Sequence, residues 1–191
     1  MLFLLLFPAY GLLILADCID AKNRRRGLLG PFLFILGCIL LLCCFFQPLF
    51  AAGHAGTLHI TLFSGGFFLL FLLLLLYTLI PARGRSDRQA AEPGKLPLVS
   101  SGIYALCRHP GLLWICGCCL SLYSLCPTRS MARIGLCCSL LDFLYITWQD
   151  LWLFPRTVSH YILYKTQTPF LIPSPGSVAR CLHRAKRQNR S

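Results

Sequence analysis

Charge is scarce in this chain, and negative charge scarcest: 13% of its 191 residues are Asp, Glu, Lys or Arg, with 6 acids against 18 bases. Disorder is excluded, because a chain that stays unfolded needs low hydrophobicity, and this one is 57% hydrophobic with a mean hydropathy of +0.68. A water-soluble globule is excluded as well. Ordinary soluble domains carry roughly 45–50% apolar residues, and the excess here would have to stand on the surface. Heptads, long-period repeats and low-complexity linkers are also missing, so coiled coils and solenoids have no footing. What remains is a single membrane-embedded unit with no length left for a second folded domain. On such a chain the formal net charge of +12 reads as orientation in a bilayer rather than as affinity for nucleic acid.

What is there in quantity is apolar sequence. A helix crossing a hydrocarbon core needs about 20 apolar residues, because unsatisfied backbone amides cost several kcal/mol each in lipid. Five runs approach this, at 2–16, 28–50, 59–81, 111–127 and 131–154. Pro48, Pro81 and Pro127 stand near run ends, where a lost backbone donor does least harm. The first run lacks the basic start and small-residue cleavage site of a secretory signal, so it reads as a spanning helix.

The basic residues alternate from loop to loop. Lys22, Arg24, Arg25 and Arg26 follow the first run, the 51–58 loop has no Lys or Arg, and the third loop carries Arg83, Arg85, Arg88 and Lys95. Only Arg129 and Arg133 follow the fourth run, and the tail from Arg180 to Arg190 is basic again. The positive-inside rule then puts the N-terminus outside and the tail in the cytoplasm, across five spans. Arg180, Arg184, Lys186, Arg187 and Arg190 have two readings, a nucleic-acid arm or a solvated tail facing lipid headgroups; the second is preferred, with no nucleic acid as partner. The sequon Asn189-Arg190-Ser191 falls on that cytoplasmic tail and is expected to be inert.

The 12 cysteines raise the question of metal. Most lie within apolar runs, where free Cys acts as a small hydrophobe, and Cys116-Gly117-Cys118-Cys119 has no second ligand pair at zinc spacing. No metal is expected. His54 and His59 flank the uncharged outer loop and read as interfacial.

Polarity without a lipid explanation occurs in two places. In the segment 98–110, LVSSGIYALCRHP, Arg108 and His109 stand at the membrane edge before Pro110, a natural first helical residue. A helix start there turns unpaired backbone N–H groups and a positive dipole end toward the interface, which makes an anion-binding corner. The alternative is that Arg108 is one more positive-inside anchor and His109 an interfacial residue. The second place is the end of the fifth run, with Asp142, Gln149 and Asp150. At 100° per residue Asp142, Tyr145, Gln149 and Trp152 form one stripe, with Asp150 beside it. Intramembrane acids face a bundle interior or a wet cavity, unless Asp150 sits close enough to the interface to be hydrated and pair with Arg156. Beyond lies Tyr161 to Thr168, then an extended segment bracketed by Pro169 and Pro173, able to fold back over a pocket.

Gly102-x-Tyr104-x-x-x-Arg108-His109-Pro110, followed by Tyr161-x-x-Tyr164-x-x-x-Thr168-Pro169-x-Leu171-Ile172-Pro173, resembles the isoprenylcysteine carboxyl methyltransferase family, integral membrane enzymes that use S-adenosylmethionine. The resemblance covers 96–173, and both blocks occur in order around a hydrophobic hairpin. It implies a cytoplasmic cofactor pocket made by the loop before the fourth span and the end of the fifth. Leu98 and Val99 would border the nucleoside, Tyr104 would contact the cofactor, His109 and Pro110 would shape the helix start, and Arg108 would hold a carboxylate or orient this loop. Tyr161 and Tyr164 would bind substrate in a closing segment. Where relatives carry paired glutamates this chain has Gln149, assigned to the cofactor, and Asp150, assigned as the acid that takes a proton from an ammonium acceptor. A substrate-contacting arginine of the eukaryotic branch aligns with Tyr145. Relatives usually have Tyr at the position of Leu112, and Phe-Gly at Thr157-Val158, so the chain resembles a divergent member.

The expectation is thus an all-α integral membrane methyltransferase of about five transmembrane helices. It comprises three helices in 1–82, a basic cytoplasmic loop at 83–97, a methyltransferase-like region at 98–173 and a basic tail at 174–191. It would transfer a methyl group from S-adenosylmethionine to a lipid-like or prenylated carboxylate or amine drawn from the bilayer. The short five-span plan points to a bacterial cytoplasmic membrane, or the endoplasmic reticulum in a eukaryote. The alternatives are a nicotinamide-dependent reductase of the steroid or sterol type and a catalytically silent membrane protein.

Overall fold

The computed structural model describes residues 2–22, 27–51, 58–79 and 92–188. Arg24, Arg25, Arg26, His54, Pro81, Arg83, Arg85, Arg88 and the 189–191 sequon lie outside the described residues.

The apolar runs are helical, as their composition requires. A short 3-10 turn, Leu2–Leu5, leads into α1 (Leu6–Lys22), followed by α2 (Leu29–Ala51) and α3 (Leu58–Leu79). After the extended segment around Leu98 comes a 3-10 turn, Gly102–Ala105, then α4 (Pro110–Leu125) and α5 (Arg129–Trp148). Proline sets both ends of α4: Pro110 is its first residue and Pro127 follows its last turn. Thr128 caps α5 by accepting the Met131 N–H on its hydroxyl oxygen at 3.1 Å. At Gln149–Leu153 the helix widens into a π-helical turn, then runs on as α6 (Phe154–Thr157). The two remaining helices are α7 (Tyr161–Gln167) and α8 (Pro175–Gln188).

Four helical stretches are long and apolar enough to cross a membrane: Phe3–Lys22, Leu29–Phe46, Leu58–Thr78 and Arg129–Thr157. The fourth of the five expected spans is a helix of only 16 residues, which at 1.5 Å per residue is about 24 Å, short of a core of about 30 Å. The α3 window is only 6% buried, and Leu62, Phe63 and Leu69 on it are exposed. Such a surface suits contact with lipid.

The chain divides into two compact units, Met1–Leu72 with Ile115–Trp148, and Leu73–Trp114 with Gln149–Ser191. In the first, Leu6, Tyr10 and Leu13 of α1 pack with Cys44 of α2, Cys119 of α4, and Ile134 and Cys138 of α5. Cysteine here fills small core spaces between helices. A Cβ on Gly117 would come within 2.6 Å of the Phe71 ring, so glycine is what lets α4 approach α3 there. Two polar pairs cross this core: the Tyr145 hydroxyl donates to Asp17 Oδ2 at 2.6 Å, and the Tyr10 hydroxyl to Asp142 Oδ1 at 3.4 Å.

In the second unit, backbone bonds tie the two motif blocks together at both ends. Leu96 N–H donates to the Thr157 carbonyl at 2.7 Å, and Ser159 N–H to the Leu96 carbonyl at 2.9 Å. At the other end Arg108 N–H donates to the Pro169 carbonyl at 3.0 Å and His109 N–H to that of Phe170 at 3.1 Å. The proline-bracketed segment therefore folds back onto the helix start.

Candidate functional site

Asp150 is the centre of this arrangement. It sits in the π-helical turn, 2% exposed. Its Oδ1 lies 2.7 Å from Arg108 Nη1, accepts from the Tyr161 hydroxyl at 2.7 Å and lies 3.1 Å from His109 Nε2. Its Oδ2 lies 2.7 Å from Lys165 Nζ. A carboxylate out of water needs this density of donors, since an unpaired buried charge is costly. Facing a carboxylate, His109 Nε2 is assigned as the protonated ring nitrogen.

The stripe expected along the fifth run ends before Trp152. It assumed an unbroken α-helix, whereas the π-turn adds a residue to one turn and swings Asp150 inward. Trp152 is left 46% exposed. Arg156 does not pair with Asp150; its guanidinium covers the Trp152 ring at 4.4 Å and donates to the Trp152 carbonyl at 2.8 Å.

The anion corner also differs from the sequence-based expectation. The backbone N–H groups of Arg108 and His109 are engaged by Pro169 and Phe170, so they are not available to a ligand. The Arg108 side chain offers more. It is 8% exposed, and although Nη1 is close to Asp150, neither Nη1 nor Nε makes a hydrogen bond in good geometry among the described residues. The Phe170 ring lies 5.5 Å below the guanidinium carbon. His109 is held between aromatic rings, Phe154 at 6.0 Å and nearly parallel, and Phe170 at 4.9 Å.

Tyr161 and Tyr164 are buried, and both hydroxyls are committed within the protein. Tyr161 binds Asp150, and Tyr164 donates to the Tyr104 carbonyl at 2.6 Å. Burial first, and then the bond to Asp150, hold the Tyr161 hydroxyl above its ordinary range. Burial likewise raises Tyr164 and Tyr104. The Tyr104 hydroxyl donates to the Thr78 carbonyl at 2.7 Å. Tyr145 belongs to the other compact unit, with Asp17 as its hydroxyl's partner. Gln149 is half-buried beside Asp150 in the chain.

Lys165 was not singled out from the sequence, although a signal existed. Tyr161, Tyr164, Lys165 and Thr168 follow i, i+3, i+4, i+7 spacing, one face of a helix; Tyr161, Tyr164 and Thr168 are buried, and Lys165 meets Asp150. On the outer side, Glu92 pairs with Lys95 at 2.7 Å and lies 3.5 Å from His160 Nδ1. His160 is the one positive-φ residue other than glycine among the described residues, at φ 54°, and it opens α7.

Two cavities flank α7. One of about 90 Å³ is lined by Leu98, Ala105, Tyr164 and Thr168, too small for a nucleoside, since ligand pockets run to roughly 300–1,000 Å³. The other, about 400 Å³, is lined by Glu92, Lys95, Val158, His160, Tyr161 and Thr166 and is large enough. Arg108 and Lys165 against the one charge of Asp150 leave a positive excess at the site. The Arg108 Nε, buried and without a hydrogen bond among the described residues, is a donor of the kind that binds a carboxylate. No family model, no curated protein and no solved structure matches this chain.

Proposed function

We propose that this chain is an integral membrane methyltransferase that esterifies the carboxylate of a lipid-like or prenylated acceptor, with S-adenosylmethionine as methyl donor. The observation that carries the proposal is Arg108, whose buried guanidinium pairs with Asp150 through Nη1 and keeps hydrogen-bonding capacity at Nε inside the cluster that joins the two motif blocks. The cofactor supplies a methyl group made electrophilic by a sulfonium. Arg108 holds a carboxylate through the donors that Asp150 leaves free, His109 and Phe170 keep the wall dry, and alignment of the pair accounts for up to about 7–11 kcal/mol of barrier.

Asp150 is a positioning residue in this reading. All its described contacts are to donors, namely Arg108, His109, Tyr161 and Lys165, so it is poorly placed to take a proton. That favours a carboxylate acceptor, which is already a nucleophile at neutral pH, over an ammonium that must first lose a proton. On this reading α4 is a short fourth crossing among five, the N-terminus is external, and the site and tail face the cytoplasm.

Calorimetry on the full chain in lipid nanodiscs tests the proposal. S-adenosylmethionine is expected to give saturable heat that Arg108→Gln and His109→Ala abolish while Tyr104→Phe, whose hydroxyl serves Thr78, retains it. No heat at millimolar cofactor overturns the proposal, and heat from NADPH instead assigns a reductase.

A further inference from the structure

The tail acquires definite structure at Ser174. Ser174 N–H donates to Ser177 Oγ at 3.0 Å and Ser177 N–H to Ser174 Oγ at 3.2 Å. This reciprocal cap, with Pro175 as first helical residue, launches α8. The helix packs against the 3-10 turn Gly102–Ala105, where Cys181 Sγ lies 3.7 Å from the Gly102 carbonyl oxygen.

Val178, Cys181, Leu182 and Ala185 are spaced i, i+3, i+4, i+7 and share one arc of α8. In the sequence Arg180, His183, Arg184, Lys186 and Arg187 fall at the remaining positions of the helical repeat, and 175–188 contains no acid. Packing on the 3-10 turn leaves Val178 40% and Leu182 60% exposed. The helix is too polar to span a bilayer, and its two faces are too unlike for both to sit in water.

We propose that α8 lies in the plane of an anionic membrane surface, with Val178 and Leu182 among the acyl chains and its basic arc against lipid phosphates. A basic arc alone suits any polyanion. The apolar arc selects a bilayer, because a nucleic-acid backbone buries no leucine, and the chain has four helices long and apolar enough to cross one. Charge complementarity is worth about fivefold in affinity per Lys or Arg at an anionic leaflet. Four such residues, Arg180, Arg184, Lys186 and Arg187, thus supply on the order of several-hundredfold, lost as salt screens the surface.

The test is tryptic cleavage after Arg180, Arg184 and Arg187 in the full chain. Rates are measured in phosphatidylcholine nanodiscs with and without phosphatidylglycerol and normalised to cleavage elsewhere in the same chain. Phosphatidylglycerol is expected to slow cleavage at least about tenfold, high salt to restore it, and Leu182→Glu to remove the protection at unchanged thermal stability. Arg184→Gln with Arg187→Gln should weaken protection at the remaining site in parallel. Equal rates in the two discs overturn the proposal. So does protection that survives Leu182→Glu, or stronger protection from an oligonucleotide in neutral discs.

Discussion

Replacing Asp150 by Asn keeps the shape of the side chain and removes its charge. Four donors converge on this carboxylate, three of them within 2.7 Å: Arg108, Tyr161 and Lys165. The lysine is 33% exposed and returns to water when its partner is lost, so its share is screened and small. Arg108, at 8% exposure, cannot do so. Breaking a buried pair from one side leaves an uncompensated charge and costs about 3–5 kcal/mol, which for a chain of this size lowers Tm by roughly 6–20 °C. The assay is thermal unfolding in nanodiscs followed by intrinsic fluorescence. Adding Arg108→Met should recover a substantial part of the loss, because the orphaned charge is then gone. Lys95→Ala, which opens an exposed ion pair, should not shift Tm measurably. A fall of under about 2 °C for Asp150→Asn, or additive effects in the double variant, refutes the view that one buried ionic hub holds the second unit together.

His109→Ala removes a ring packed between Phe154 and Phe170 and a bond to Asp150. Chemical unfolding should show a loss of about 2–4 kcal/mol. Tyr145→Phe deletes the bond to Asp17 and should cost about 1.5–3 kcal/mol by the same measurement while leaving cofactor heat unchanged. Gly117→Ala drives a Cβ into the Phe71 ring; a destabilisation of about 1–3 kcal/mol is expected, and an unchanged Tm would show that Phe71 moves freely. Cys107 is 2% exposed, and burial pushes its thiol up to about 11, so it stays protonated at pH 8. Mass spectrometry should find Cys181 alkylated by iodoacetamide at that pH and Cys107 untouched until the pH approaches the thiol value; equal labelling counts against the burial.

The helices were legible because apolar runs this long have one structure that satisfies their backbone in an apolar setting. Runs 28–50 and 59–81 became α2 and α3 within two residues at each end, and the fifth run became α5 with its π-turn and α6. The exception in length, α4, lies between Pro110 and Pro127, and those prolines mark in the sequence where it starts and stops. Of the polar residues that stood out in the sequence, Arg108, His109 and Tyr161 meet at Asp150, whereas Asp142 bonds Tyr10 in the other unit and the Tyr164 hydroxyl bonds the Tyr104 carbonyl. Lys165 was lost among the positive charges that orientation already accounted for.

Composition, periodicity and the spacing of charge are local properties, and they fixed the apolar helices, their order and the few polar residues worth attention. Which of those residues touch depended on long-range closure. The π-turn at Gln149 rotates Asp150 inward by inserting a residue no propensity announces, and the Pro169–Phe170 carbonyls take the N–H groups of Arg108 and His109 from a distance along the chain that no local pattern encodes. The scarcity of acid mattered most there. With so few carboxylates available, one buried aspartate draws an arginine, a histidine, a lysine and a tyrosine to itself, and only the tertiary structure decides which ones.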